Sequence, residues 1–399
     1  MNSRNALSNL GLTVLGTFMA IMFIFIIGET YFRLTIIADR PELPREFKVY
    51  HKSRGWALSP GNYRYFNFRA FRDVNFSINE HGLRNHKFSL KLPVSRERVT
   101  ILGDSFVFAE ALNDGEHLTD HLQKLAAEQT EVVNVSIPGY GTGQEILLLE
   151  ELVEQGYQIG NKLILAFFTN DILDNMGLNY SLKRTHIKPA FTISEQGEIS
   201  YSIPEKPTLR KASANLLKDS FFFHFIRSRI EILIAANPEL LDILEIFGIT
   251  PDLPRAPGII AGWYSQGWEE RWAVTKSLLH YLATIMRAEY QTQLYVLFIP
   301  SPFQLSEVHK AVLLQNQEKD LRYQAFLADL ERPQNLLKNF CKEEDIPFID
   351  ASTTLHQNGK KNPMYFPREG HLNEHGAQVV AELLYRSIKE APLAARQVF

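Results

Sequence analysis

Cysteine is nearly absent from this sequence, and neither sign of charge dominates. The 399 residues include one cysteine, Cys341, so no intramolecular disulfide can form. The cysteine content therefore does not indicate whether the protein resides in an oxidising or a reducing compartment. The formal net charge is −3, and no Lys/Arg-rich stripe or nucleic-acid-binding motif occurs, which argues against nucleic acid as a partner. Internal repeats and low-complexity segments are also lacking. The composition, 45% hydrophobic and 22% charged, fits one sizeable globular domain.

One long uncharged run lies near the N-terminus. Residues 10–28 carry no charge and are rich in Leu, Ile, Phe and Met. About 20 such residues span the hydrocarbon core of a bilayer. The residues that follow, Glu29 to Arg33, do not resemble a signal-peptide cleavage site. We therefore expect residues 1–30 to form a single uncleaved transmembrane anchor rather than a core helix.

The basic residues that flank this run do not settle its orientation. Arg4 precedes the run, whereas Arg33, Arg40, Arg45 and Lys48 follow it. Counting these charges alone would place the large domain in the cytoplasm. However, long domains can cross a membrane regardless of flanking charge, so both orientations stay open on charge alone.

Apolar runs at intervals along the chain predict a parallel β-sheet. Strands are expected at five places, namely 98–103, 131–136, 162–168, 293–299 and 346–350. Helical patterns lie between them, and this alternation is typical of an α/β fold with helices on both faces of the sheet. We predict a three-layer α/β/α domain over residues 98–399, preceded by a linker and pre-domain segment at 31–97. Ligands of such sheets bind beyond the carboxyl ends of the strands.

An insertion is expected between the third and fourth strands, at about residues 176–270. Alternating polar and apolar residues on both sides of Gly197 predict a β-hairpin over 191–203. The second half is helical and aromatic, with the run 221–225 and then three tryptophans, Trp263, Trp268 and Trp272. We expect these rings to pack the insertion onto the domain. Alternatively, the aromatic residues form a lid or a wall on which sugars stack. For the run 221–225, contact with the membrane is a further alternative.

Polar blocks follow three of the predicted strands, and a fourth block precedes the C-terminal helical stretch. In chain order the blocks are Gly103-Asp104-Ser105, Pro138-Gly139-Tyr140-Gly141, Asn170-Asp171 and Arg368-Glu369-Gly370-His371. A serine at a strand end lies beside the backbone N–H groups that open the next helix. Acyl transfer needs a hydroxyl nucleophile, a base of near-neutral pKa and donors for the carbonyl oxygen. The four blocks together contain these groups.

In this order the blocks resemble those of the SGNH (GDSL-type) hydrolase superfamily, whose members take Ser, Gly, Asn and His from four successive blocks. The matching positions are Ser105, Gly139, Asn170 and His371, and the resemblance covers about residues 78–384. It implies the flavodoxin-like SGNH fold and a serine esterase. Ser105 would attack an ester carbonyl and His371 would take its proton. The oxyanion would be held by the N–H groups of Ser105 and Gly139, with Gly141 as the rival to Gly139, and by the Asn170 amide.

The sequence departs from the usual family pattern at the third triad member. The position three residues before the histidine, usually Asp, is Arg368, whereas a variant pattern places the acid two residues before it, at Glu369. We expect Glu369 to orient His371. Asp350, at the end of the last predicted strand, is the alternative acid, and a Ser–His dyad without an acid also stays open.

Several other polar residues have simpler interpretations. Asp104 is expected to hold the nucleophile turn through backbone hydrogen bonds, and His375 to lie in the first turn of a helix. Asp171 and Asp174 are three residues apart and are typical of a solvated helix start rather than a metal site. We find no ligand set for a metal, and the expected chemistry needs no cofactor.

The resemblance and the apolar run together imply a membrane-anchored serine esterase. Residues 78–84 are similar to a stretch that precedes the Gly-Asp-Ser block in membrane-anchored members, which often act outside the cytoplasmic membrane. The expected substrate is an O-acyl ester, O-acetyl above all, of an envelope or exported carbohydrate, with the domain periplasmic or otherwise extracytoplasmic. O-acetyltransferase, lipid acylhydrolase and non-catalytic polysaccharide-assembly module are the alternatives, and protein partners are left open.

Overall fold

The computed structural model describes most of the chain, in segments. The described residues are 2–36, 43–67, 69–85, 88–177, 188–194, 196–202, 222, 226, 258–305, 310, 321–366 and 369–390. They belong to two compact units, one drawn from residues 1–42 and 210–251 and the other from 43–209 and 252–399.

The first unit contains the apolar N-terminal helix. Helix α1 spans Asn2–Tyr31 and continues into a π-helical turn, Phe32–Ile36. Within the described residues, one helical segment, Leu15–Thr35, is long and apolar enough to cross a membrane. A helix of this length and composition near the N-terminus fits either a membrane span or a signal sequence.

Phe222 packs on this helix within the first unit. Its ring lies 5.8 Å from the ring of Phe25 and 6.0 Å from that of Phe32, measured between ring centroids. Its backbone N–H donates a 2.9 Å hydrogen bond to Glu29 Oε2. The other residues of the aromatic run, 221 and 223–225, lie outside the described residues. The prediction that this run packs on the domain, with membrane contact as the alternative, therefore also falls outside them.

Two antiparallel hairpins open the second unit. Strands β1 (Lys48–His51) and β2 (Gly55–Leu58) form the first hairpin, and β3 (Gly61–Asn67) and β4 (Arg72–Ile78) form the second. A short 3-10 turn precedes β1. The segment expected to link the anchor to the fold therefore contains four strands, and Trp56, Val74 and Phe76 from these strands are buried in the same core as the main sheet.

The remaining elements alternate between strands and helices. In chain order they are β5 (Glu97–Gly103), α2 (Ser105–Phe108), α3 (Leu118–Leu125), β6 (Thr130–Ser136), α4 (Thr142–Glu154), β7 (Lys162–Phe168), α5 (Asp171–Asp174), β8 (Phe191–Ile193), β9 (Ile199–Tyr201), α6 (Gly258–Trp263), α7 (Trp268–Ala288), β10 (Gln293–Ile299), α8 (Pro302–Leu305), α9 (Leu321–Ala328), α10 (Arg332–Glu343), β11 (Phe348–Asp350), α11 (Ser352–Gly359) and α12 (Glu374–Glu390).

Five of these strands form a parallel sheet with the spatial order β11-β10-β7-β5-β6. The five predicted strands are thereby confirmed, each within two residues. Neighbouring residues of a strand point to opposite faces, and both faces are covered. Leu102 and Leu165 pack in the core on the side of α4 and α7, whereas Ile101 and Ile164 pack on the side of α3 and α12. The three-layer α/β/α prediction is confirmed.

The described part of the insertion packs largely as expected. Strands β8 and β9 pair as the predicted hairpin. Trp263 is fully buried, and its indole N–H donates a 2.8 Å hydrogen bond to Thr169 O, next to the end of β7. The ring of Trp272 lies 5.6 Å from it. These contacts confirm the packing interpretation for Trp263.

Candidate active site

Ser105 is held at the sharp turn between β5 and α2. The Asp104 carboxylate accepts a 2.8 Å hydrogen bond from the Phe106 N–H, so it caps the start of the helix as expected. The turn also depends on Gly103, because a Cβ atom there would lie 2.3 Å from Val107 Cγ2. The Phe106 N–H is therefore already occupied by Asp104, and the Ser105 N–H is the group of this turn expected to bind an oxyanion.

His371 lies within hydrogen-bond distance of this serine. Its Nε2 is 2.7 Å from Ser105 Oγ, and its ring packs 4.6 Å from the ring of Phe106. The loop that carries it is closed by two backbone hydrogen bonds of 2.9 Å, in which Phe366 N–H donates to His371 O and Gly370 N–H donates to Phe366 O. Gly370 has a φ of +86°, which favours glycine at this position.

Glu369 contacts the other side of the same imidazole. Its Oε1 is 2.5 Å from His371 Nδ1, and its Oε2 accepts a 3.0 Å hydrogen bond from the His371 N–H. The rival acid, Asp350, caps the start of α11 by accepting a 2.8 Å hydrogen bond from the Ser352 N–H. Of these two acids, Glu369 is the one that the structure brings to His371. Arg368 lies outside the described residues.

The two charged partners shift each other's titration. Burial lowers the pKa of His371, but the adjacent Glu369 carboxylate and its hydrogen bond more than offset this and raise the pKa to about 9. Burial favours the protonated form of Glu369, yet the charge of His371 and its hydrogen bonds hold the pKa of Glu369 below its ordinary value. The pair therefore favours the imidazolium–carboxylate state that forms when the histidine takes a proton.

Asn170 follows β7 and lies beside the nucleophile turn. Its Nδ2 donates to Asp104 Oδ2 at 3.2 Å and to Asp174 Oδ2 at 2.6 Å. An amide nitrogen has two hydrogens, and both have carboxylate acceptors here. If Asn170 binds the oxyanion of a substrate, one of these hydrogen bonds must be exchanged for the new one.

Gly139 and Gly141, the rival oxyanion donors, differ in their surroundings. Gly139 has a φ of +83° and is partly exposed, and among the described residues its N–H has no hydrogen-bond acceptor. Gly141 is buried, and its N–H donates to Gln144 Oε1 at 3.4 Å. A Cβ atom at Gly141 would lie 2.7 Å from the Cβ of Asp174, so this glycine allows close packing instead. The geometry favours Gly139 over Gly141 as a donor.

The interpretation of Asp171 and Asp174 as a solvated helix start was wrong. Both side chains are fully buried, because the short helix α5 packs between α6 and α7 rather than facing solvent. Asp174 forms an ion pair with Lys188. Burial raises the pKa of Asp171 well above its ordinary value, and the same holds for Glu145 of α4 nearby. In the part of the chain that the structure describes, no group of three or more His, Cys, Asp or Glu side chains is arranged to hold a metal ion.

Arg84 supports the nucleophile turn and was not identified from the sequence. Its guanidinium donates hydrogen bonds of 2.7–2.8 Å to the carbonyl oxygens of Phe108, Ala109 and Leu112, just after α2. It also pairs with Asp114 at 2.9 Å. The only signal in the sequence was the stretch 78–84, which resembles a family motif without showing what its arginine contacts.

Comparison with known proteins finds similarity among solved structures only. No family model and no curated protein matches the sequence. The structure of TesA is 13% identical and covers 73% of this chain and 98% of its own, with a TM-score of 0.36. A catalytic mutant of Axe2, an acetylxylan esterase from Geobacillus stearothermophilus, is 12% identical and covers 75% and 96%, with a TM-score of 0.39.

A third similar structure is that of the psychrotrophic esterase EstA from Pseudoalteromonas sp. It is 13% identical and covers 73% of this chain and 97% of its own, with a TM-score of 0.34. Each of these TM-scores lies below 0.5. The fold of this chain is therefore assigned from its own sheet topology, and its activity has to be inferred from the geometry of its own site.

Proposed function

We propose that this chain is a serine esterase of the SGNH type, with Ser105 as nucleophile, His371 as general base and Glu369 as the acid that orients it. One observation carries the proposal. A continuous chain of hydrogen bonds joins Ser105 Oγ to His371 Nε2 at 2.7 Å and His371 Nδ1 to Glu369 Oε1 at 2.5 Å. Nucleophile, base and orienting acid in this order are the arrangement that activates a hydroxyl for acyl transfer.

The reaction follows from this geometry. His371 Nε2 takes the Ser105 proton as Oγ attacks the ester carbonyl, and Glu369 stabilises the imidazolium that forms. The N–H groups of Ser105 and Gly139, together with the Asn170 amide, hold the tetrahedral oxyanion. His371 then protonates the leaving alkoxide, which leaves an acyl-enzyme on Ser105. Water, or a sugar hydroxyl in a transferase, attacks the acyl-enzyme with the proton passing through His371 again.

The proposed substrate is an O-acyl ester of a carbohydrate, with the O-acetyl group as the preferred acyl group. This assignment is supported by the four motif blocks and by the apolar helix, which together resemble membrane-anchored members of the superfamily. A lipid acylhydrolase would use the same residues and differ in acyl-chain preference. The hydrogen-bonded Ser105–His371 pair favours an enzyme over a non-catalytic assembly module, which has no need of that contact.

The activity can be tested on the full chain in detergent micelles. We expect hydrolysis of p-nitrophenyl acetate, faster than that of the butyrate and octanoate, and at least about a 1,000-fold loss in Ser105→Ala. Ser387→Ala is the matched control, because its hydroxyl bonds to a carbonyl within α12. A folded Ser105→Ala protein that keeps its activity would contradict the proposed nucleophile. A preference for octanoate would favour the lipid substrate.

We also propose that α1 anchors the domain in the cytoplasmic membrane, with the domain on the extracytoplasmic side. The support is the exposed apolar surface of the helix and the motif resemblance. Alkaline phosphatase, active only after export, and green fluorescent protein, fluorescent only in the cytoplasm, can each be fused to the C-terminus. We expect the phosphatase fusion to be active in the membrane fraction. Fluorescence without phosphatase activity would place the domain in the cytoplasm.

A further inference from the structure

The first hairpin contacts the turn that carries Gly139 through several polar groups. Lys48 Nζ donates a 3.3 Å hydrogen bond to Pro138 O. Arg54 Nη1 donates to the Tyr140 hydroxyl at 2.9 Å, and that hydroxyl donates to Trp56 O. The residues on both sides of Gly139 are therefore held by a segment that lies about 90 residues earlier in the chain.

The contact from Lys48 has a particular chemical consequence. The Pro138 carbonyl and the Gly139 N–H belong to one peptide unit, and in a trans peptide the C=O and N–H bonds point in opposite directions. No peptide bond in the described structure is cis. A cation that binds the carbonyl fixes the plane of this unit and draws electron density toward the oxygen, which makes the N–H on the opposite side a stronger donor.

We infer that Lys48 is a positioning residue for the oxyanion hole, which acts through the Pro138–Gly139 peptide and makes no contact with substrate. The inference rests on the proposed function, because it assigns the Gly139 N–H to the oxyanion. By this inference the rate also depends on Lys48, which lies at the start of β1, outside the four motif blocks.

The surroundings of Lys48 fit this role. Its side chain is 15% exposed, and the nearest carboxylate oxygen is Glu110 Oε1, at 4.0 Å from Nζ. The ammonium also lies 5.8 Å from the centroid of the Trp56 ring. The Pro138 carbonyl is therefore a closer polar contact than its ion-pair partner. Burial and the neighbouring charge of Lys188 lower the pKa of Lys48, while Glu110 raises it.

The test compares three variants of the full chain in detergent micelles, with p-nitrophenyl acetate as substrate. Lys48→Met removes the cation, Lys48→Arg keeps it, and Lys52→Met is the control at an exposed lysine of the same hairpin. Rates are given per active site, counted by titration with the phosphorylating inhibitor paraoxon, so that loss of folded protein does not lower kcat. Ser105→Ala lacks the hydroxyl that paraoxon phosphorylates, so its rate is measured in parallel per mole of folded protein.

We expect Lys48→Met to lower kcat about 10-fold with little change in KM, less than the roughly 100-fold loss on removing a whole oxyanion donor. Lys48→Arg should recover most of this loss, and Lys52→Met should match the wild type. An unchanged kcat in Lys48→Met would overturn the inference while leaving Ser105 as the nucleophile. A rise in KM alone would also overturn it, because it would show direct contact with substrate. Activity retained by Ser105→Ala would reject the proposed function itself.

Discussion

At the scale of single residues, the spacing of Glu369 and His371 determines how the acid reaches the base. The two are separated by one glycine, Gly370, whose positive φ turns the chain back on itself. This turn lets one oxygen of Glu369 reach the ring and the other reach the backbone N–H of His371. The extra methylene of Glu compared with Asp fits an acid placed two residues, rather than three, before the histidine.

A change at Glu369 should alter both the rate and its pH dependence. The base must be neutral to accept a proton, so kcat/KM of the free enzyme should rise with pH through the His371 pKa of about 9. Glu369→Gln removes the charge that raises this pKa. We expect kcat to fall roughly 10,000-fold and the acid limb of the profile to move to lower pH.

The measurement is kcat/KM for p-nitrophenyl acetate between pH 5 and 10, after correction for spontaneous hydrolysis. His371→Ala serves as the comparison. It removes the base, so its kcat/KM should show no rise with pH from the titration of residue 371. The assignment of Glu369 would be rejected if the profile of Glu369→Gln overlaid that of the wild type. In that case Asp350→Asn would be the next variant to measure.

At the scale of secondary structure, the site combines strand ends with the hairpins that precede the sheet. Ser105, Gly139 and Asn170 follow β5, β6 and β7, which are neighbours in the parallel sheet, so their positions follow from the fold. The loop before α12 brings His371 to the same edge. Lys48 of the first hairpin and Arg84, in the loop that follows β4, then bind the backbone around two of these groups.

The hydrogen bonds of Arg84 should stabilise the turn that follows the nucleophile. Its side chain is 1% exposed, and Arg84→Met would leave three carbonyl oxygens and Asp114 without this partner. We expect the free energy of unfolding to fall by about 3 kcal/mol or more, because each unsatisfied buried polar group costs about 1–3 kcal/mol. Urea denaturation of the full chain in micelles, followed by tryptophan fluorescence, would measure the loss.

Arg64→Met is the matched control, because Arg64 is exposed on β3 of the hairpin that precedes Arg84 in the chain. It should unfold at the same urea concentration as the wild type. Equal stability of Arg84→Met and Arg64→Met would mean that the four contacts of Arg84 make no net contribution.

The sequence predicted the sheet well because its strands are buried on both faces and therefore appear as continuous apolar runs. The local motifs also pointed to Ser105 and His371, whose side chains lie 2.7 Å apart in the structure. It could not predict the partners of Lys48 and Arg84, which are backbone carbonyls 90 and 24–28 residues away. Asp171 and Asp174 were misassigned because the rule for helix starts assumes solvent, whereas tertiary packing buries both side chains.

At the scale of the whole molecule, a buried acidic group should make stability depend on pH. Glu145 is fully buried, and within the described structure neither of its carboxylate oxygens has a hydrogen-bond partner. Burial therefore raises its pKa well above the ordinary value. When the pKa of a carboxyl group is higher in the folded than in the unfolded protein, the free energy of unfolding falls as the pH rises above the unfolded pKa, which is about 4.3 for Glu.

We expect Glu145→Gln to remove part of this dependence. The difference in unfolding free energy between Glu145→Gln and the wild type should grow in favour of the variant from pH 5 to pH 8, as measured by urea denaturation at each pH. Glu150→Gln on the same helix is a suitable control, because Glu150 bonds to the exposed Tyr281 instead of lying in the core. A constant difference across this range would show that Glu145 is already ionised in the folded protein.

The positions of the proposed catalytic groups along the chain also affect when the protein can become active during its own synthesis. The nucleophile and the base are 266 residues apart, whereas the base and its acid are only two apart. All five strands of the sheet are therefore synthesised before the acid and the base, which the ribosome adds only two residues apart. Partial chains that end before this loop carry the serine without the groups that activate it, so truncated translation products should be inert toward esters.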